Sequence, residues 1–334
     1  MANMPPVAVL GAGAIGGFLA GRLAAAGHPV AVAARGAHGA ALAARGLVLH
    51  DRAAGPSPTR VVHVLTPDEA PRGAPALTIV AGKAHQLGTL CRQHLPTLLA
   101  SEAVLFIQNG FPWWYFVGED AQPGAQAVSR LDPDGWLRDT LSDRPLFASL
   151  AFKAAEVTAP GVVWHYVTAT DRFPVGPVRG DAARAGSIVD LLRAADIPAE
   201  PSPDIRREIW AKLMGNVSVN PLCALARCPV GGLTVRPETM AVVAGLIDET
   251  IALAGHFGHD ISDQRDWRLQ RMRTLGAARP SMLQDIEAHR PMEVDAIVGA
   301  LSDLARASGV QTPRIDTVHG ALCALAAAAE GAGT

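Results

Sequence analysis

The sequence predicts an α/β protein, with an N-terminal Rossmann-type domain (residues 1–203) followed by an all-helical C-terminal domain (residues 204–334). Three observations predict it. A glycine-rich turn, Gly11-Ala12-Gly13-Ala14-Ile15-Gly16, stands between an apolar strand and a helix. Strand and helix patterns alternate through the first half, as a parallel sheet covered on both faces requires. Beyond Asp204 nearly every window has helical periodicity.

Taken in order, Val7 to Leu10 reads as a strand, Ile15 to Ala26 as a helix and Val30 to Ala34 as the next strand, one βαβ unit. A second set follows: strand Leu77 to Lys83, helix Ala84 to Ala100 with Leu87, Leu90, Cys91 and Leu95 on one face, and strand Ala103 to Ile107. From Leu146 to Pro177 short apolar runs broken by Pro160, Gly161 and Gly176 predict antiparallel strands that finish the first domain. Ser202-Pro203-Asp204 marks a break and an N-cap. The helices expected after it are Ile205 to Ala226, Glu238 to Gly255, Ser262 to Leu275, Met282 to His289, Met292 to Ser308 and Pro313 to Ala328, with a fraying end at Gly331 to Thr334.

A chain of 334 residues exceeds the size at which one core keeps growing, so two domains are expected. The net charge of -2 supplies no basic field, which argues against nucleic acid and against a charged membrane surface as partners. Cys91, Cys223, Cys228 and Cys323 are scattered without a Cys-x-x-Cys pair, and predict buried thiols in a reducing compartment. With no signal-like start and no apolar run of spanning length, a cytoplasmic protein is expected. His256, His259 and Asp260 are metal-ligand types at close spacing, but Gly258 interrupts them at a helix end and no metal is expected.

Gly11, Gly13 and Gly16 have the spacing that binds dinucleotides. The first glycine makes the tight turn, the second lets backbone amides approach a pyrophosphate, and the third lets helix and strand pack closely. The helix start at Ala14 and Ile15 then carries partial positive charge where the diphosphate would sit. NAD-binding versions place an acidic residue at the end of the second strand, about 20 residues on, for the ribose 2′-hydroxyl. Ala33-Ala34-Arg35 stands there instead, and a guanidinium suits a 2′-phosphate, so NADP is the expected cofactor. His38 is near enough to assist, although a loop histidine is more often simply exposed.

Further motifs follow in order: Gly82-Lys83-Ala84-His85-Gln86, Gln108-Asn109-Gly110, Trp210-x-Lys212-x-x-x-Asn216-x-x-x-Asn220-Pro221, and Ser281-Met282-Leu283-Gln284-Asp285-Ile286 running to Arg290-Pro291-Met292-Glu293-Val294-Asp295. Together with the glycine turn they resemble the ketopantoate reductase (2-dehydropantoate 2-reductase) family over essentially the whole chain. The resemblance implies an NADPH-dependent reduction of a small 2-keto acid, ketopantoate to pantoate, on the route to pantothenate and coenzyme A.

Lys212, Asn216 and Asn220 stand at i, i+4 and i+8 and therefore share one helical face. By the resemblance Lys212 is the general acid toward the keto oxygen, and its ammonium also stabilises the developing alkoxide. Asn216 and Asn220 bind polar groups of the substrate, amides being both donors and acceptors. Ser281 resembles the serine that bonds the substrate carboxylate; as a bland alternative it is the N-cap of a helix beginning at Met282. Glu293 resembles the glutamate that binds substrate and orders the catalytic lysine. Lys83 and Asn109 each follow a strand at the ligand-binding edge. Lys83 is expected to contact substrate or nicotinamide, and Asn109 to orient the nicotinamide or the substrate carboxylate.

The chain departs from the best-known members after Gly110, where Phe111-Pro112-Trp113-Trp114-Tyr115-Phe116 forms an aromatic block, and again near Leu131 to Trp136. Such a block either lines a different acyl pocket or packs as local core or an oligomer contact. Alternatives to ketopantoate reduction are therefore a reductase of a bulkier 2-keto acid and a non-catalytic NADP-binding regulator. A 3-hydroxyacyl dehydrogenase-like enzyme would instead call for an acidic residue in place of Arg35 and a catalytic histidine. A homodimer is possible, but no stretch of sequence marks an interface.

Overall fold

The alternation of short β-branched runs with alanine-rich helices folds as its periodicity requires. The computed structural model describes residues 4–69, 72–118 and 127–331; the extreme tail at Thr334 lies outside them. The strands are β1 Val7–Leu10, β2 Val30–Ala33, β3 Val48–Asp51, β4 Gly55–Pro56, β5 His63–Val64, β6 Leu77–Val80, β7 Val104–Ile107, β8 Leu146–Ser149, β9 Ala154–Ala159, β10 Val162–Tyr166, β11 Phe173–Arg179 and β12 Ala199–Pro201. The helices are α1 Ala14–Ala25, α2 Gly36–Arg45, α3 Leu87–Gln93, α4 Leu95–Ala100, α5 Trp136–Leu141, α6 Ala182–Ala194, α7 Ile205–Ala226, α8 Val230–Thr234, α9 Pro237–His256, α10 Arg265–Arg273, α11 Ser281–Glu287, α12 Ala300–Ser308 and α13 Pro313–Gly331.

Two compact units result. The first holds residues up to Asn109 together with Gly135–Ile205; the second holds Gly110–Asp134 and everything from Arg206 onward. In the first unit an eight-stranded sheet runs β12-β11-β8-β7-β6-β1-β2-β5, with β1 parallel to both β2 and β6. Because β1 has β2 on one side and β6 on the other, strand order reverses there, and the carboxyl ends of β1 and β6 form the topological switch point at which open α/β sheets bind ligands. β1, β6, β7 and β8 are buried at every position, which is why they read as continuous apolar runs rather than alternating ones.

Two expectations for this unit change. The helix expected over 84–100 is a 3-10 turn at Ala84–Gln86 followed by α3 and α4, because Pro96 in the first turn of α4 cannot donate to a preceding carbonyl. The strands expected over 146–177 do not all finish one sheet. β8 and β11 join the large sheet, whereas β9 and β10 form a hairpin in a second sheet of order β4-β3-β10-β9 that packs on α1. Lys153, whose side chain is only 2 % exposed, pins the end of that hairpin through a 2.5 Å ion pair with Asp171 and a bond to the Tyr166 carbonyl.

The second unit is helical among its described residues. α9 is long and apolar enough to cross a membrane by length and composition, a feature the sequence reading did not anticipate. Its Glu249 is buried and accepts bonds from the Arg314 and Ile315 amides at 2.9–3.0 Å, so this carboxylate caps the start of α13. The short helix α8 was not expected, and Asp295–Gly299 is a π-helical turn leading into α12. Of the four thiols Cys91 and Cys223 are buried and Cys228 is half-buried; Cys323 is exposed on α13, because it lies on the face that α13 turns away from its buried Ile315, Val318 and Leu322.

Candidate active site

The glycine turn owes its shape to backbone contacts that a side chain would obstruct. Gly11 has φ +91°, and a Cβ there would lie 2.8 Å from the Gly82 nitrogen, so the turn after β1 abuts the loop after β6. A Cβ on Gly16 would lie 2.1 Å from the Gly11 carbonyl oxygen. The Gly11 and Ala12 amides both donate to the Ala33 carbonyl of β2, at 3.1 and 2.9 Å. The next amides are those at the start of α1, whose first turn has no carbonyl partners within the helix. Gly13 caps α1, is exposed and has nothing within 4 Å of where a Cβ would be. An open cradle of aimed amides at a switch point fits the diphosphate of a dinucleotide.

Arg35 ends β2 and caps α2 in extended conformation. Its side chain is exposed, and its guanidinium has no ion pair or hydrogen bond among the described residues. Lys83 is half-buried and caps the 3-10 turn Ala84–Gln86, one residue past the Gly82 that meets Gly11. Asn109 is half-buried after β7, the strand next to β6. Its neighbour Gln108 carries a feature the sequence did not single out: both carboxamide atoms are buried without a hydrogen-bond partner among the described residues. Unpaired buried amide atoms are costly, and a ligand group at the end of β7 would satisfy them.

His38 is half-buried rather than exposed. It sits in the first turn of α2, with Nε2 2.9 Å from the Ala12 carbonyl and Nδ1 receiving the Gly161 amide at 3.1 Å. Both ring nitrogens are occupied, so it has no nitrogen left for a 2′-phosphate.

In the second unit the stripe lies on α7. Lys212 and Asn216 are half-buried and Asn220 is 8 % exposed, while Leu213, Met214 and Val217 are buried around them. No hydrogen bond to the Asn220 carboxamide occurs among the described residues. Pro221 follows within the helix and cannot donate to the Val217 carbonyl, which loosens the ladder beside the stripe. From α10, Arg268 donates to the Ala211 carbonyl at 3.0 Å, one residue before Lys212. Glu293 is buried at 9 % exposure just ahead of the π-helical turn, and its carbonyl accepts from the Ile297 amide. Ser281 is the first residue of α11 with Pro280 as cap, so it is not the N-cap; its side chain is exposed and makes no capping bond.

The geometry thus collects the glycine turn, Arg35, Lys83 and Asn109 on the first unit, and Lys212, Asn216, Asn220, Ser281 and Glu293 on the second. Residues 7–180 match the family model described as "Ketopantoate reductase PanE/ApbA", and residues 204–326 match its C-terminal counterpart. The chain belongs to the ketopantoate reductase family. A 2-dehydropantoate 2-reductase of Mesorhizobium japonicum is 34% identical over 93% of this chain and 95% of its own length. A solved structure from Ralstonia solanacearum, assigned to the ketopantoate reductases, superposes with a TM-score of 0.87 at 31% identity, covering 97% of this chain and 98% of that one. A ternary structure of D-mandelate dehydrogenase with NADH and anilino(oxo)acetate shares the fold, with a TM-score of 0.80 at 20% identity over 97% and 99% of the two chains.

Within this member of the family the aromatic block is core. Phe111 packs on Tyr115 and on Trp210 of α7, with ring centroids 4.5 and 5.5 Å apart, and Phe116 meets Phe257. The Trp210 indole donates to the Tyr115 hydroxyl at 2.7 Å, and Arg206 donates to the Tyr115 and Val117 carbonyls. Trp113 and Trp114 are buried to 3 % and 2 % exposure. Tyr115→Phe leaves the buried Trp210 N–H without its acceptor. It is expected to cost about 1–3 kcal/mol in urea unfolding while the kcat/KM ratio between any two 2-keto acids stays as in the wild type. A shifted ratio at unchanged stability would return the block to a role in recognition.

Proposed function

We propose that this chain reduces 2-dehydropantoate to pantoate with NADPH. The observation that carries this reading is the 34% identity to a 2-dehydropantoate 2-reductase over nearly the full length of both chains. The burial of Phe111, Tyr115 and Phe116 against Trp210 and Phe257 removes the support for a pocket redirected to a bulkier keto acid. A regulator that had lost its chemistry would have no use for an ammonium and two carboxamides kept on one face of α7.

The Gly11–Gly16 turn and the start of α1 would hold the diphosphate, Arg35 the 2′-phosphate, and the ends of β6 and β7 the nicotinamide side. When bound, the cofactor supplies a hydride to the keto carbon. Lys212 holds the keto oxygen by an N–H bond and passes it a proton as negative charge develops there, so that ketone, hydride and proton together give the hydroxy acid. Asn216 and Asn220 offer donors and acceptors to the substrate's carboxylate and hydroxyl, and Ser281 offers a hydroxyl to the carboxylate. Glu293 accepts from the substrate hydroxyl and restrains Lys212. Loss of nicotinamide absorbance on mixing NADPH, enzyme and 2-dehydropantoate tests the reading directly.

A further inference from the structure

The two bonds of His38 decide its tautomer. A carbonyl oxygen can only accept, so Nε2, 2.9 Å from the Ala12 oxygen, carries the proton. A backbone amide can only donate, so Nδ1, 3.1 Å from the Gly161 nitrogen, is bare. His38 is therefore a neutral imidazole held at both ends. One end is the middle of the glycine turn and the other is the turn between β9 and β10.

The carbonyl that His38 holds belongs to the Ala12–Gly13 peptide. That unit is planar and trans, so fixing the direction of the Ala12 C=O fixes the opposite direction of the Gly13 N–H. Gly13 is the exposed cap of α1, and its amide is the first of the turn to have no hydrogen bond among the described residues, which leaves it for a ligand. The amides before it are already committed to Ala33. Gly13 has no Cβ to restrict its φ, so on the Gly13 side no side chain holds the peptide plane. The far anchor is firm: the Gly161 carbonyl accepts from Val48 at 3.0 Å and Arg45 donates to the Pro160 carbonyl at 3.4 Å, tying the hairpin turn to α2 and β3.

We propose that His38 is a positioning residue of the cofactor site, a neutral imidazole clamp that aims the Gly13 amide at the dinucleotide phosphate by bracing the Ala12 carbonyl against the β9–β10 hairpin. This rests on the reading of Gly11–Gly16 as the phosphate turn. One turn of α2 then serves the cofactor twice, through Arg35 at its cap and through His38 three residues on.

The test uses two amide replacements that separate the bonds. Glutamine places an N–H donor near the Nε2 position and can keep the Ala12 bond; asparagine reaches only the Nδ1 position and can keep only the Gly161 bond. By calorimetric titration, His38→Ala is expected to raise the Kd for NADPH about 5- to 10-fold, with kcat at saturating cofactor within about twofold of wild type. His38→Gln should recover most of the affinity, and His38→Asn should bind as weakly as His38→Ala. ¹⁵N-detected NMR of the wild type should show Nε2 protonated and Nδ1 bare at neutral pH, whether or not a variant folds. An unchanged Kd in His38→Ala, better recovery with asparagine than with glutamine, or an Nδ1-protonated ring would each overturn the clamp. A wild-type protein that binds neither NADPH nor NADH would overturn the phosphate-turn reading itself, and the clamp with it.

Discussion

Lys212→Ala is expected to lower kcat by on the order of 10²-fold or more while leaving NADPH affinity near the wild-type value. The ammonium is proposed to act on the keto oxygen as the hydride arrives, an interaction worth more in the transition state than in the ground state. Its loss therefore appears in kcat and kcat/KM together rather than in KM alone. α7 is equipped to hold it still: Trp210 bonds the Tyr115 hydroxyl at 2.7 Å, two residues before Lys212, and Arg268 bonds the Ala211 carbonyl one residue before it. Steady-state kinetics beside a titration of NADPH into the variant separate the two quantities. Normal turnover would remove the proton-donor role and leave Lys212 as a half-buried lysine on a structural helix.

Arg35→Ala is expected to weaken NADPH by roughly 10- to 100-fold while barely changing NADH, since a charge-assisted bond to phosphate is worth about 1.5–3 kcal/mol. NADH carries a ribose hydroxyl in place of that phosphate, so it has little to lose. The exposed Arg35 guanidinium, without a partner among the described residues, can turn to a ligand without breaking a bond of the fold. Binding constants of both cofactors for wild type and variant check it. Equal losses for the two would show that Arg35 only supports the cap of α2.

What could be read in the sequence was local. β1, the glycine turn, α1 and β2 follow one another within 27 residues, from Val7 to Ala33, and their pattern is set by neighbours along the chain. The stripe of Lys212, Asn216 and Asn220 is likewise a property of one helix. What could not be read depends on partners far away. Trp210 lies 95 positions beyond Tyr115, so the aromatic block could not be seen to join the helical unit and fill its core. His38 reads as a loop residue because the Gly161 amide that occupies it lies 123 positions on. β9 and β10 read as strands, but their own alternation does not show that β10 pairs with β3 in a separate sheet or that both strands pack on α1. Gln108 is a polar residue at a strand end until burial leaves both its amide atoms unpaired.

The proposed reduction of 2-dehydropantoate with NADPH is decided by kcat/KM across a panel of 2-keto acids under saturating NADPH. The highest value is expected for 2-dehydropantoate, with aromatic and longer-chain 2-keto acids at least about 10-fold poorer, a difference of one or two ill-fitting methylenes in an apolar pocket. Turnover of an aromatic 2-keto acid that exceeds that of 2-dehydropantoate, or no oxidation of NADPH with any of them, would contradict it.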